Sequence, residues 1–264
     1  MLQSAAESSL AKSQALAEVS CSSAQDAHMG AASASGASDV SQEKEETITY
    51  EAALGSQRMR AGSVLRHDYS FFRELEATPS REKLSRLAQE MVDAATGLPC
   101  DAHNAIFMCM DRSRCDVARV LVTGVAGTPY ASGCFVFDVL CPQDYPASPP
   151  KVFLRTTGNG AVRFNPNLYS NGKVCLSLLG TWQGKGGEAW TPRSTMLQVF
   201  VSVQSLIMTE GVYFNEPGYA HVQGSEEGGR LNRAYCNIVR YSTVRYAMVD
   251  MLRHPDPTFE RIIR

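Results

Sequence analysis

Between residues 105 and 154, four short runs with strand chemistry follow one another with no helical period between them, and this arrangement restricts the fold more than any other feature. The runs cover 105–110, 117–125, 134–140 and 152–154, with Gly127-Thr128-Pro129-Tyr130 as a turn and the stretch from Pro142 to Pro150 as a break. Parallel neighbours would need crossovers of a dozen or more residues, so these short connections predict an antiparallel meander. A single amphipathic helix precedes the strands. Leu84, Leu87, Ala88, Met91 and Val92 repeat at helical spacing after the capping candidates Thr78 and Ser80, and Gly97-Leu98-Pro99 ends the pattern. After the strands the period is helical again. Thr191-Pro192 reads as a cap followed by a first-turn proline, and Met196, Phe200, Val203 and Ile207 form a stripe that Leu197, Val199, Val201 and Leu206 widen almost all round. Such a helix belongs in the core, across the sheet. A further helix is predicted from Leu231 to about Leu252, and Pro257 can open a last short one ending near Arg264. Strands and helices are segregated, so the predicted class is α+β: an N-terminal helix, a four-stranded antiparallel meander sheet, a long ordered loop, a buried central helix and C-terminal helices.

The 264 residues divide unevenly. Residues 1–45 hold 11 Ser and 11 Ala, and no aromatic residue precedes Tyr50, so this stretch cannot bury enough surface to offset chain entropy and reads as a disordered extension. Residues 46–79 mix Leu54, Met59, Val64, Phe71 and Phe72 with Arg58, Arg60 and His67 without a clean period, which marks a peripheral segment; the core domain is placed at 80–264. A net charge of −2 names no nucleic-acid partner, and no apolar run approaches the roughly 18 residues that span a bilayer. Eight cysteines without a CxxC pair argue against a zinc ribbon, a thioredoxin-type site or a disulfide scaffold, and fit a reducing compartment, cytoplasmic and/or nuclear. No metal-ligand spacing is visible and no cofactor is expected.

The segment from Val162 to Pro192 has no convincing period yet carries Phe164, Leu168, Tyr169, Trp182 and Trp190. A connection of that length with so many large side chains is expected to be ordered and functional. Within it, Asn171-Gly172 is a turn signal that doubles the chain back and can bring Asn167 near Cys175. An amide beside a thiol can stabilise the oxyanion formed when a carbonyl is attacked by, or carried on, the sulfur.

These residues carry a resemblance. Gly133-Cys134-Phe135-Val136-Phe137-Asp138-Val139, Pro142-Gln143-Asp144-Tyr145-Pro146 through Pro150-Lys151-Val152, Asn165-Pro166-Asn167 eight positions ahead of Cys175, and Trp190-Thr191-Pro192 resemble, in order, the strand, proline-rich loop, histidine-proline-asparagine signature and tryptophan-x-proline element of the ubiquitin-conjugating enzyme family. Val162-Arg163-Phe164, the run from Cys175 to Trp182 and Phe214-Asn215-Glu216-Pro217-Gly218-Tyr219 are similar to its large subgroup, which includes the apollon/BRUCE conjugating domain and hybrid conjugating-enzyme/ligase relatives; residues 180–189 look like that subgroup's insertion. The resemblance implies that Cys175 accepts ubiquitin as a thioester from an activating enzyme, which spends ATP, and passes it to a lysine of a substrate protein. It implies Asn167 as the oxyanion donor and Glu216 as the acidic residue that orients or deprotonates the incoming amine. Asn165 stands where the family has histidine, in a structural hydrogen-bonding role. Ala147 replaces a bulky apolar ligase contact and Arg193 a small residue, so recognition of ordinary ubiquitin ligases is weakened, leaving either ligase-like autonomy or an unusual ligase.

Two other functions compete. A non-catalytic ubiquitin-binding or scaffold module could use the same fold, but inactive variants are expected to lose the nucleophile, and Cys175, Asn167 and Glu216 are all retained. A cysteine hydrolase would need a histidine partner, and none of His28, His67, His103, His221 and His254 lies in a recognisable partner motif. Trp182 and Trp190 read as packing anchors for the loop. Gly184, Gly186 and Gly187 with Lys185 lack the spacing of a phosphate cradle.

Overall fold

Both faces of the central strands are covered, which explains why their sequences run apolar without alternating. The computed structural model describes residues 49–75, 78–182 and 189–264; the Ser/Ala-rich extension and the glycine cluster at 184–187 lie outside them. β2 (Ile106–Asp111), β3 (Val117–Thr123), β4 (Cys134–Leu140) and β5 (Lys151–Leu154) pair antiparallel in chain order, as the meander prediction requires. The sheet has a fifth strand that the periodicity did not foresee. β1 (Met59–Gly62) follows a short helix α1 (Tyr50–Leu54) and runs parallel to β2, with Met59 opposite Met108 and Gly62 opposite Asp111. Its sequence, Met-Arg-Ala-Gly, has no strand chemistry; the register is held from outside, because the Asp111 carboxylate accepts from the Val64 and Leu65 amides at 2.8 and 2.7 Å.

Against one face of the sheet lie α2 (Arg81–Gly97) and α3 (Met196–Ser202), the latter running on as a π turn over Val203–Ile207. Phe135, Phe137, Val120 and Met108 meet Leu87, Val199, Phe200 and Val203 there. Ser80 caps α2 by accepting from the Lys83 amide. The buried side of α2 is only in part the predicted stripe: Leu87 and Met91 face the core with Lys83, Glu90 and Ala94, while Leu84 is 40% and Val92 65% exposed and Ala88 is exposed. The rotation is set by charge pairing. Lys83 Nζ donates to Asp116 at 3.0 Å and to the Cys141 carbonyl at 2.7 Å, and Glu90 accepts from the Met196 amide, Arg86 and the Tyr145 hydroxyl. α3 is buried as expected, but its cap is Thr195, in a capping box with Gln198, while Thr191-Pro192 forms the turn before it.

The opposite face of the sheet is covered by residues 64–75 and by the chain's end. Val64, Tyr69, Phe71 and Phe259 close over Phe107, Cys109, Leu121 and Val136. α4 (Glu226–Ser242), capped by Ser225, continues through a π turn at Thr243–Val249 into α5 (Asp250–Arg253), close to the predicted 231–252, and α6 (Glu260–Ile263) ends the chain. No helix among the described residues is long and apolar enough to cross a membrane.

Candidate active site

Cys175 stands on a hairpin built from the irregular segment. Leu168 bridges Val174, and the reversal between them needs Gly172, whose φ is +85° and whose missing Cβ would fall 2.3 Å from the Phe153 ring. Asn167 and Cys175 then face each other twice: the Cys175 amide donates to the Asn167 carbonyl at 2.8 Å, and Asn167 Nδ2 donates to the Cys175 carbonyl at 2.9 Å. The turn signal thus brings this pair together, and one amide proton of Asn167 remains uncommitted by that bond.

Two residues that the sequence reading did not single out as functional brace this loop. Thr181 Oγ1 accepts from the Leu176 amide at 3.0 Å and donates to the Val174 carbonyl at 2.8 Å, clamping the backbone on both sides of the cysteine. Arg163 donates to the carbonyls of Asn165 and Pro166 and stacks on Tyr169, its guanidinium carbon 4.2 Å from the ring centre. Neither could be picked out beforehand, because a threonine six positions beyond Cys175 and an arginine between apolar residues acquire these partners only once the loop has folded.

Asn165 is fully buried and satisfied: Oδ1 accepts from the Asn167 amide at 2.8 Å, while Nδ2 donates to the Tyr130 hydroxyl and the Ile207 carbonyl, both at 2.9 Å. It performs the structural hydrogen bonding expected at this position. Trp190 donates its ring N–H to the Pro146 carbonyl at 2.8 Å and packs on Tyr145, the anchoring role expected of it.

Cys175 is 2% exposed, and its partner Asn167 and chain neighbour Leu176 border an open cleft of about 160 Å³. Asn167, Leu176, Ser177, Trp182, Leu206, Ile207 and Asn215 line that cleft, with no histidine among them. Glu216 lies beyond Asn215, half exposed, and its carboxylate sits 3.7 Å from the Arg163 guanidinium. It is therefore joined to the loop that carries the cysteine through Arg163, which also stacks on Tyr169. Burial first, then the neighbouring Cys175 thiol, push the Tyr169 phenol above its usual range, against the pull of Arg163. Among the described residues no cluster of three or more His, Cys, Asp or Glu side chains could hold a metal ion.

A cysteine on a braced loop, an amide held on its backbone carbonyl and a carboxylate tied to the same loop through Arg163 are groups of the kind that acyl transfer through sulfur uses. The family model described as ubiquitin-conjugating enzyme matches residues 86–222. The chain belongs to the ubiquitin-conjugating enzyme family, the E2 transferases. It is 46% identical over 217 residues to the human protein named dual E2 ubiquitin-conjugating enzyme/E3 ubiquitin-protein ligase BIRC6, a match covering 81% of this chain and 4% of that protein. It is 45% identical over 183 residues to probable ubiquitin-conjugating enzyme protein 17 of Caenorhabditis elegans, covering 69% of this chain and 25% of that one. Against probable ubiquitin-conjugating enzyme E2 R521 of Acanthamoeba polyphaga mimivirus the identity is 41% over 185 residues, covering 70% of this chain and 13% of that one. The chain thus spans a quarter or less of the length of these relatives.

Proposed function

We propose that Cys175 carries ubiquitin as a thioester between an activating enzyme and a substrate lysine. The Cys175 thiolate attacks the activating enzyme's thioester carbonyl, the bond to that enzyme's sulfur breaks, and its thiolate leaves. A lysine amine then attacks the new thioester, forms the amide and expels the Cys175 thiolate, with the amine proton passing through Glu216 to solvent. The observation that supports this reading is the paired contact between Asn167 and Cys175, in which the Asn167 amide is held on the Cys175 backbone carbonyl and keeps a second N–H for an oxyanion formed on the neighbouring sulfur. Loss of a comparable donor lowers rates by roughly 10² to 10³. ATP is consumed by the activating enzyme, and this chain needs no cofactor of its own.

Ligase-like autonomy is the second element of the proposal. It rests on similarity to a relative named as both conjugating enzyme and ligase, and on exposed Ala147 and Arg193 where ordinary ligase contacts would be bulkier and smaller respectively. A cytoplasmic and/or nuclear location accords with seven free cysteines among the described residues.

The test is a non-reducing gel after mixing the purified chain with ubiquitin, ATP and an activating enzyme. A thiol-sensitive adduct that disappears in Cys175→Ala is expected, together with Asn167→Ala that still charges but discharges to lysine at least tenfold more slowly. No adduct with any activating enzyme would sink the acyl-carrier reading in favour of a non-catalytic ubiquitin-binding module.

A further inference from the structure

Arg163 holds four groups with one side chain. Its Nε and Nη2 donate to the Asn165 and Pro166 carbonyls at 3.3 and 2.6 Å, which fixes the guanidinium plane against the backbone that leads to Asn167. The guanidinium carbon lies 4.2 Å from the centre of the Tyr169 ring, and the Tyr169 backbone pairs with Lys173 and Gly172 in the hairpin that carries Cys175. The same Nη2 sits 3.7 Å from Glu216 Oε2. Arg163 therefore links the loop that carries Cys175 to the carboxylate of Glu216, which follows the cleft-lining Asn215, and its side chain is 42% exposed. The other charged or titratable groups around it are Lys173, whose Nζ lies 5.6 Å from the centre of the same Tyr169 ring, and Tyr235 of α4, whose phenol burial pushes up to about 12.

We infer that Arg163 is a positioning residue for the lysine-transfer step, orienting Tyr169 against Cys175 and Glu216 toward the opening while its charge keeps the incoming amine unprotonated. The inference rests on the acyl-carrier reading above and adds to it a residue that acts on the nucleophile rather than on the thioester. An ammonium ion arriving between Cys175 and Glu216 is attracted by the carboxylate, which favours the protonated and unreactive form. A guanidinium fixed within 4 Å of that carboxylate offsets the attraction, so the amine loses its proton at a lower pH than it would beside Glu216 alone. Lysine at position 163 would keep the charge but lose the planar stack and the fork of donors; glutamine would lose the charge.

Single-turnover experiments on the full chain separate these contributions. The chain is charged with ubiquitin, the activating enzyme is quenched, and discharge to free lysine is followed from pH 7 to 10 with a lysine-free control for hydrolysis. Arg163→Gln is expected to charge within about twofold of the unsubstituted chain, to discharge about tenfold more slowly at pH 7.5, and to move the rise of the rate roughly half a unit or more to higher pH. Arg163→Lys should restore the position of that rise with only part of the rate. Lys173→Gln, which removes a charge of the same sign from the same ring without touching Glu216, should move it far less.

A rate lowered by the same factor at every pH would mean that Arg163 only supports the loop, and an equal shift in Lys173→Gln would mean a diffuse positive field; either outcome overturns the assignment, as does a discharge rate that does not fall. Failure of the unsubstituted chain to charge would instead overturn the acyl-carrier reading, and the two failures are therefore distinguishable.

Discussion

Asn165 uses both ends of its amide in a site with no exposed surface, donating to the Tyr130 hydroxyl and the Ile207 carbonyl and accepting from the Asn167 amide. Its partners come from three separate stretches of chain, so this one side chain ties the segment before Cys175 to the turn ahead of β4 and to the end of the buried helix. The Tyr130 hydroxyl in turn donates to the Phe164 carbonyl, which keeps the network closed. Asn165→Ala would leave the Asn167 amide without its partner and the Ile207 carbonyl with only the longer bond from Asn215 at 3.3 Å, and would open a small void. It is expected to lower stability by about 2 kcal/mol, read as a lower urea midpoint with an unchanged slope. Charging of Cys175 should fall with it, because the Asn167 backbone is what the Cys175 amide binds. An unchanged midpoint would mean that the amide is not part of the loop's support. Residue identities made the pairing of Asn167 with Cys175 and the structural hydrogen bonding of Asn165 legible in the sequence. The bracing by Thr181 and Arg163 was not legible, because both act on backbone carbonyls and amides that local pattern does not place beside them.

At the level of elements, the strands from β2 to β5 were readable because their β-branched and aromatic runs are bounded by turns, and the buried helix was readable because it is apolar nearly all round. The side that α2 buries was readable only in part. Of the stripe at 84, 87, 88, 91 and 92, Leu87 and Met91 face the core while Leu84, Ala88 and Val92 do not, because the buried side is turned to where Lys83 and Glu90 find Asp116, Tyr145 and the start of α3. Side-chain periodicity ranks residues by their transfer to oil; it cannot rank them by partners that lie 33 or 106 residues away. β1 illustrates the same limit, since its attachment depends on Asp111. Burial raises that carboxyl, but the Leu65 amide, the Ser113 hydroxyl and amide and the Val64 amide together hold it down at about 2. A carboxyl depressed in the folded state stabilises the fold above its unfolded pKa near 4, and that contribution is lost as pH falls toward 2. The chain's urea midpoint is therefore expected to drop between about pH 4 and pH 2, and Asp111→Asn should lower it at pH 7 and flatten its dependence across that window. Equal pH dependence in the variant would exclude Asp111 as a source of the acid sensitivity.

For the whole molecule the question is where the domain begins. Residues 49–75 look peripheral in sequence, yet they and residues 256–263 form the second layer over the sheet, and the compact unit runs Thr47–Arg264. Charge closes that layer as well as apolar contact. Buried Arg119 on β3 pairs with Asp138 on β4 at 2.7 Å and with Asp256 near the end of the chain at 3.0 Å. Arg155 joins Asp138 to Asp68, and Ser70 donates to Asp138 from both its amide and its hydroxyl. Removing the N-terminal part would strip Val64, Tyr69 and Phe71 from the sheet, and at about 1.5–3 kcal/mol for each buried side chain the loss comes to about 5 kcal/mol or more. That is as large as the net stability of many domains. It would also leave Asp138 buried with fewer donors, a further penalty of the kind that follows from breaking one side of a buried ion pair. A chain beginning at residue 78 is therefore expected to melt at least 10 °C lower than the full chain, to bind a hydrophobic dye over its exposed Phe107, Leu121 and Val136, and to lose Cys175 charging in step with its folded fraction. Should that shorter chain melt within a few degrees of the full one without binding dye, the outer layer would be an appendage, and the catalytic domain would begin at the helix that Ser80 caps.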